Sequence, residues 1–176
     1  MQRFDPVTLS NITIANYQAA KQVPPLAPWL QHIAELEGDA IEIRIVIPRE
    51  QAMRKLFGFT LFADDQSDGL PIMFRPENST LRVGTTEAPF AVSDLPDGED
   101  VELRIFIDKY LVEVFANDRQ ALLAAHLDCS GKQGLDAFSV GAETTIKRLD
   151  IWRLKPTNQG FLEAQSNRIW EPGEGE

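Results

Sequence analysis

An all-β domain of antiparallel strands is what this sequence predicts, and three observations carry that prediction. Roughly ten short runs of β-forming residues recur at spacings of roughly 8–15 residues, with turn signals between them. Ala40–Ile47, reading AIEIRIVI, places isoleucine at 41, 43, 45 and 47, the period of two expected of a strand with one buried face. No long helical periodicity appears before residue 155. Short strands with one apolar face each bury it by stacking two sheets, so the expected architecture is an antiparallel two-sheet β-sandwich.

The elements follow in order. Residues 1–9 carry little periodicity and read as a tether. LSNITIA at 9–15 is a short β-like alternation, and Pro24, Pro25 and Pro28 make 17–28 irregular. WLQHIAEL at 29–36 fits either a turn or two of helix or a strand. Gly38 and Asp39 turn the chain into the isoleucine strand, and Pro48 ends it. A charged connection covers 49–55. Leu56–Ala63 (LFGFTLFA) is apolar on both faces, as a central strand covered on both sides would be. DDQSDG at 64–69 is a turn, Leu70–Arg75 a strand, and Pro76 with Glu77 and Asn78 another turn. Shorter strands are expected at 80–84 and 90–92, and Pro96-Asp97-Gly98 is a turn. After 101–116 the sequence predicts a turn at Asn117-Asp118, a strand at 120–127, a loop at 131–134, and closing strands at 135–142 and 145–154. Residues 1–28 thus form an extension with a first short strand, 29–156 the sandwich, and 157–176 an irregular or helical tail. Within that tail 160–170 fits one short helix anchored by Phe161, Leu162, Ile169 and Trp170, and EPGEGE at the end reads as disordered.

At 176 residues the chain matches one domain, long enough to bury roughly 70% of its unfolded surface without covalent staples. A net charge of −10 and a pI of about 4.7 oppose nucleic acid and anionic membrane as partners, and leave a neutral polymer such as a glycan open. Cys129 is alone, so no internal disulfide forms, and a lone cysteine is more often a small core residue than a nucleophile. No signal-like apolar segment follows Met1, and no apolar run reaches the length of a membrane span. The chain is therefore expected to be intracellular or cut from a longer precursor, and its localisation stays open.

The stretch around which the rest is organised is LRIFIDKYLVEVF at 103–115. Apolar Val101, Leu103, Ile105 and Ile107 alternate with Glu102, Arg104, Phe106 and Asp108, and a return strand follows at 111–116. If Lys109 and Tyr110 form a two-residue turn, Asp108 pairs with Leu111, Ile107 with Val112 and Phe106 with Glu113. Arg104, Phe106, Asp108, Glu113 and Phe115 then share the face away from the core, with Arg104 and Asp108 both diagonal to Glu113 at roughly 7–8 Å. A loop one residue longer breaks this matching of faces.

Chemistry is sparse. His32 and His126 have no ligand-spaced neighbours, so no metal is expected, and His126 reads as a packed or half-exposed structural residue. No phosphate-binding or nucleophile-elbow motif occurs, and no cofactor is implied. Asn11-Ile12-Thr13 and Asn78-Ser79-Thr80 match the glycosylation sequon, a signal that matters only in a eukaryotic secretory protein. Asp108 and Glu113 are the two carboxylates that can be placed together on one face. Glycosidases of the retaining kind hold two carboxyls about 5–5.5 Å apart across a sugar. The plainer readings are an ion pair of Glu113 with Arg104, sugar binding without catalysis, and, for Tyr110, an exposed turn residue.

LRIFIDKYLVEVFAND at 103–118 resembles the signature hairpin of the C-terminal β-sandwich module of family 32 glycoside hydrolases, the β-fructofuranosidases, levanases and inulinases. The family pattern is Val-Asp-Arg-Ser, then Ser-Val-Glu-Val-Phe, then Asn-Asp-Gly. This sequence has Lys109 for the arginine, Tyr110 and Leu111 for the serines, and Arg119 for the glycine. Leu149-Asp150-Ile151-Trp152-Arg153-Leu154 is similar to the last strand of that module, and the resemblance covers roughly 33–156. It implies a jelly-roll or concanavalin-like sandwich with a strand over 29–36. The catalytic propeller of these enzymes carries Trp-x-Asn-Asp-Pro-Asn, Arg-Asp-Pro and Glu-Cys motifs. None occurs here, since Phe4 interrupts Arg3-Phe4-Asp5-Pro6, and too few residues precede Ile33 to build a propeller. The resemblance therefore implies a module with no catalytic residues of its own, which supports or binds β-fructan or another fructose-containing sugar. Asp108, Glu113 and Tyr110 are its candidate sugar-binding residues, with Arg104 orienting them. The alternative is a structural domain that docks on a family 32 propeller through Phe106, Phe115 and the 161–170 tail.

Overall fold

The computed structural model describes residues 2–17, 30–53, 56–63, 69–109, 111–125 and 133–155. Its strands are β1 (Gln2–Arg3), β2 (Val7–Ile14), β3 (Gln31–Leu36), β4 (Ala40–Ile47), β5 (Leu56–Ala63), β6 (Leu70–Arg75), β7 (Thr80–Val83), β8 (Thr86–Pro89), β9 (Val101–Asp108), β10 (Leu111–Ala116), β11 (Gln120–Ala125), β12 (Gln133–Val140) and β13 (Thr144–Lys155). One short helix, α1 (Arg49–Ala52), interrupts them. Among the described residues no helix is long and apolar enough to cross a membrane.

The strands form two antiparallel sheets. Sheet I runs β1-β13-β4-β9-β10-β11, with β2 also paired to β13, and sheet II runs β3-β12-β5-β6-β7-β8. The fold is the expected all-β sandwich. Ile41, Ile43, Ile45 and Ile47 of β4 are fully buried, as are Leu103 and Ile105 of β9 and Val112 and Val114 of β10. They meet Phe57, Phe59 and Leu61 of β5 and Ile72 and Phe74 of β6 from the opposing sheet. The rings of Phe57 and Phe74 stack at 6.2 Å, and Phe57 meets Phe59 edge-on at 5.2 Å. β5 is central, between β12 and β6, and Thr60 and Phe62 on it are buried as well. That is why its sequence shows no alternation.

Several expectations are corrected. Residues 1–9 are not a tether: β1 and the first three residues of β2 lie there, both strands hydrogen-bonded to β13. The ambiguous 29–36 stretch is a strand from Gln31. The charged connection holds α1, whose last residue, Ala52, is buried. Residues 90–92 are not a strand. The polar segment Thr86–Pro89 takes the edge position, and Val92–Asp94 is a 3₁₀ turn that buries Phe90 and Val92. An edge strand needs no apolar alternation and tolerates Pro89 at its end. The loop expected at 131–134 gives way to β12 from Gln133. Tyr110, His126, Cys129 and the tail from Pro156 lie outside the described residues.

β2 is held to β13 by a buried carboxylate. Asp150 is 1% exposed and accepts hydrogen bonds from Thr8 Oγ1 at 2.7 Å and Arg148 Nε at 2.8 Å. Burial alone would push its pKa up. The hydrogen bonds from Arg148 and Thr8, with the charges of Arg148 and Arg44, outweigh burial and hold it below its ordinary 3.8. The unfolded chain therefore binds a proton at higher pH than the folded chain. This contribution to stability is present above the ordinary carboxylate pKa and is lost as pH falls through the folded one. Asp150→Asn is expected to cost about 1–3 kcal/mol at neutral pH and to lose less stability than the parent on acidification below about pH 4. Urea unfolding of both chains at a series of pH values measures this, and parallel pH profiles would refute it.

Candidate functional site

Sheet I keeps its core on one side, so every second residue of its strands projects outward. The ladder fixes which of them are neighbours. One rung reads Trp152, Glu42, Phe106, Glu113, Leu123 across β13, β4, β9, β10 and β11. The next reads Asp150, Arg44, Arg104, Phe115, Ala121. On the other flank Asp108 stands between Ala40 and Leu111.

The hairpin has the two-residue register, with Asp108 opposite Leu111, Ile107 opposite Val112 and Phe106 opposite Glu113. Lys109 accepts a φ of +52° to make the turn, and its N–H donates to the Asp39 carbonyl at 2.8 Å. The turn after β10 is held from behind. Asn117 and Asp118 have φ of +48° and +51°, the left-handed pair that suits a tight hairpin. Asn117 Nδ2 donates to Glu99 Oε1 at 2.8 Å and to the Asp100 carbonyl at 2.9 Å, while its Oδ1 accepts the Glu102 N–H at 3.1 Å. Hydrogen bonds from Arg119 and then Asn117 hold the Glu99 carboxyl below its usual range.

The expected residues separate into two groups. Arg104 does not pair with Glu113. Its Nη2 donates to Glu42 Oε1 at 3.1 Å, and its guanidinium sits 5.3 Å over the Phe106 ring. The reason is positional: Glu42 on β4 is nearer the sheet centre, and Arg104 stands directly opposite Arg44, a like-charge pair that each arginine must neutralise sideways. Arg44 does so with Glu102 at 2.6 Å, and that hydrogen bond raises its pKa. Asp108 and Glu113 share the face as the register requires. Both are exposed, and neither has a hydrogen-bond or ion-pair partner among the described residues. Tyr110 lies outside the described residues.

Glu42 is the residue that sequence reading missed. It faces outward, yet it is only 2% exposed. Arg3 Nη2 donates to its Oε1 at 2.8 Å and lies 2.7 Å from Oε2, but the second contact lacks hydrogen-bond geometry. Oε2 is thus a buried acceptor without a donor among the described residues. Arg3 also lies 4.9 Å over the half-buried Trp152 ring, and Phe106 meets Phe115 edge-on at 5.9 Å. The sequence signal was Glu42's outward place between two isoleucines. What it lacked was the pairing of β4 with β13 and β9. Among the described residues no cluster of three His, Cys, Asp or Glu could hold a metal ion.

This two-sheet architecture and its hairpin match a known family. The family model "Glycosyl hydrolases family 32 C terminal" matches residues 9–153. The chain belongs to that family. Among solved structures, it is similar in fold to β-fructofuranosidase from Schwanniomyces occidentalis in complex with fructosyl-erythritol, at TM-score 0.57 and 13% identity over 88% of this chain and 34% of that one. Fructan 1-exohydrolase IIa from Cichorium intybus matches at TM-score 0.58 and 12% identity, over 87% of this chain and 36% of that one. Exo-inulinase from Aspergillus awamori matches at 0.55 and 15%, over 89% and 29%. The chain spans about a third of the length of these relatives. No curated protein sequence matches it.

Glu42→Gln is expected to lower stability by about 1–3 kcal/mol, because it strips two guanidiniums of their shared counter-charge. Arg3→Ala, which removes one half-exposed partner, should cost less than about 1 kcal/mol. Equal losses in urea unfolding would contradict this division.

Proposed function

We propose that this family 32 module is non-catalytic and binds β-fructan or another fructose-containing sugar on the outer face of sheet I. The observation that carries the reading is the rung from Trp152 through Glu42 and Phe106 to Glu113. A sugar needs hydroxyl acceptors beside a ring that can cover its apolar face. Here a carboxylate fixed by Arg3 and Arg104 lies between two aromatic side chains. Asp108 and Glu113 add exposed acceptors on the same face, and Arg104 fixes Glu42. The absent propeller motifs and the one-third coverage of the relatives support a non-catalytic role. The relatives' names supply the sugar class.

A second reading has its own observation. Leu111 and Leu123 are 49% and 53% exposed, next to Phe106 and Phe115. Such an apolar strip suits docking to a family 32 propeller.

Isothermal titration with levan, inulin and sucrose, alongside an assay for released fructose, decides between them. Heat without fructose is expected, with affinity falling several-fold in Trp152→Ala and in Asp108→Ala. Released fructose would overturn the non-catalytic role. No heat with any sugar, together with co-elution with a family 32 propeller on size exclusion, would establish docking instead.

A further inference from the structure

The outer face of sheet II, on the opposite side of the sandwich, carries a cleft of about 550 Å³ lined by Met53, Leu56, Met73, Arg75, Arg82 and Val140, with Pro76 and Glu77 at its end. The ladder explains its shape. Val140 and Leu56 stand on one rung of β12 and β5, Met73 and Arg82 on a rung of β6 and β7, and Arg75 lies just past the Phe57–Phe74 pair that ends the β5–β6 ladder. Between them lies Gly58, where a Cβ would come within 2.9 Å of the Phe138 ring and 2.2 Å of the Ile72 carbonyl oxygen. The Phe138 ring fills the place of a side chain there, and the cleft floor beside it is thioether and aliphatic carbon. Met53, 49% exposed at the end of α1, forms one wall.

The opposite wall carries two guanidiniums that are incompletely engaged. Arg82 spends only Nε, on the Gly84 carbonyl at 2.7 Å, and its two terminal nitrogens have no partner among the described residues. Arg75 is held at 3.5 Å by Glu77 and at 3.8 Å by Glu87, both looser than a good charge-assisted hydrogen bond. Two guanidiniums thus stand at one apolar cleft, with the carboxylates of Glu77 and Glu87 on the side of Arg75 and only loosely engaged. The lining has no aromatic ring, so the cleft lacks the platform a sugar requires. From β12 to β7 is three strand spacings, about 14 Å, which is room for a medium-length alkyl chain lying across the strands.

We propose that this cleft is a second binding site, independent of the sheet I face, for an amphipathic carboxylate. Its alkyl chain lies over Leu56, Met73 and Val140 against Met53, and its carboxylate takes the terminal nitrogens of Arg82, with Arg75 alongside.

Titration of the whole chain with decanoate below its micelle concentration tests this, with decanol and decyltrimethylammonium as controls. Saturable binding of one decanoate is expected, weaker binding of decanol, and none of the cation. Arg82→Gln should weaken decanoate about tenfold or more, the loss of a charge-assisted pair. Met53→Glu changes an exposed residue, so it leaves the fold intact while placing a negative charge on the cleft wall, and it should also weaken decanoate. Absence of decanoate binding, equal binding of the cation, or unchanged affinity in both variants would overturn the site.

Discussion

Alternation along β4, β9 and β10 is the constraint from which the rest of this molecule follows. A strand that commits Ile105 and Ile107 to the core must present Arg104, Phe106 and Asp108 outward, and its neighbours must do the same. The pairing of β4 with β9 sets Arg44 against Arg104, and that repulsion demands acids nearby. Glu42, Glu102 and Asp150 supply them. The polar network on sheet I is therefore a consequence of the core's register. It fixes Arg104 and draws in Arg3, which brings the start of the described chain against Trp152.

That origin bears on function. Residues that neutralise one another are held in place, and fixed donors and acceptors are what a weak ligand such as a sugar needs. Asp108 and Glu113, at the margin of the network, are exposed and have no partner among the described residues. The same face grades into Leu111, opposite Asp108, and Leu123, opposite Glu113, so its exposed carboxylates border its aliphatic side chains. The carbohydrate reading uses the carboxylates and the docking reading the leucines, and both draw on Phe106.

The sequence showed most of what is local. The isoleucine strand, the buried β5 and the hairpin register could each be read because alternation and turn spacing act over a few residues. Asp108 and Glu113 were placed on one face by that register alone. What could not be read depends on strands far apart in the chain. Arg3 and Glu42 are 39 residues apart, and Thr8 and Asp150 are 142 apart. Nothing in the hairpin announces that Arg104 will turn to β4 rather than to Glu113. β8 went unseen because an edge strand can be polar, and β1 because two residues carry no period.

The order of the strands in the sheets has a consequence for how the chain reaches this state. β13 joins β1, β2 and β4, and β12 joins β3 and β5, so the last two described strands are the inner struts of the two sheets. During synthesis from the N-terminus, β2, β3, β4 and β5 emerge without the neighbour that completes their ladders. Their open edges wait until residues 133–155 are made. Gln2 finally pairs with Lys155, nearly the full described length away. Long-range closure of this kind slows folding and prolongs the exposure of unpaired apolar strands. The isoleucine strand is then most vulnerable to pairing with another chain, and assembly of the sandwich is a late event gated by its final strand.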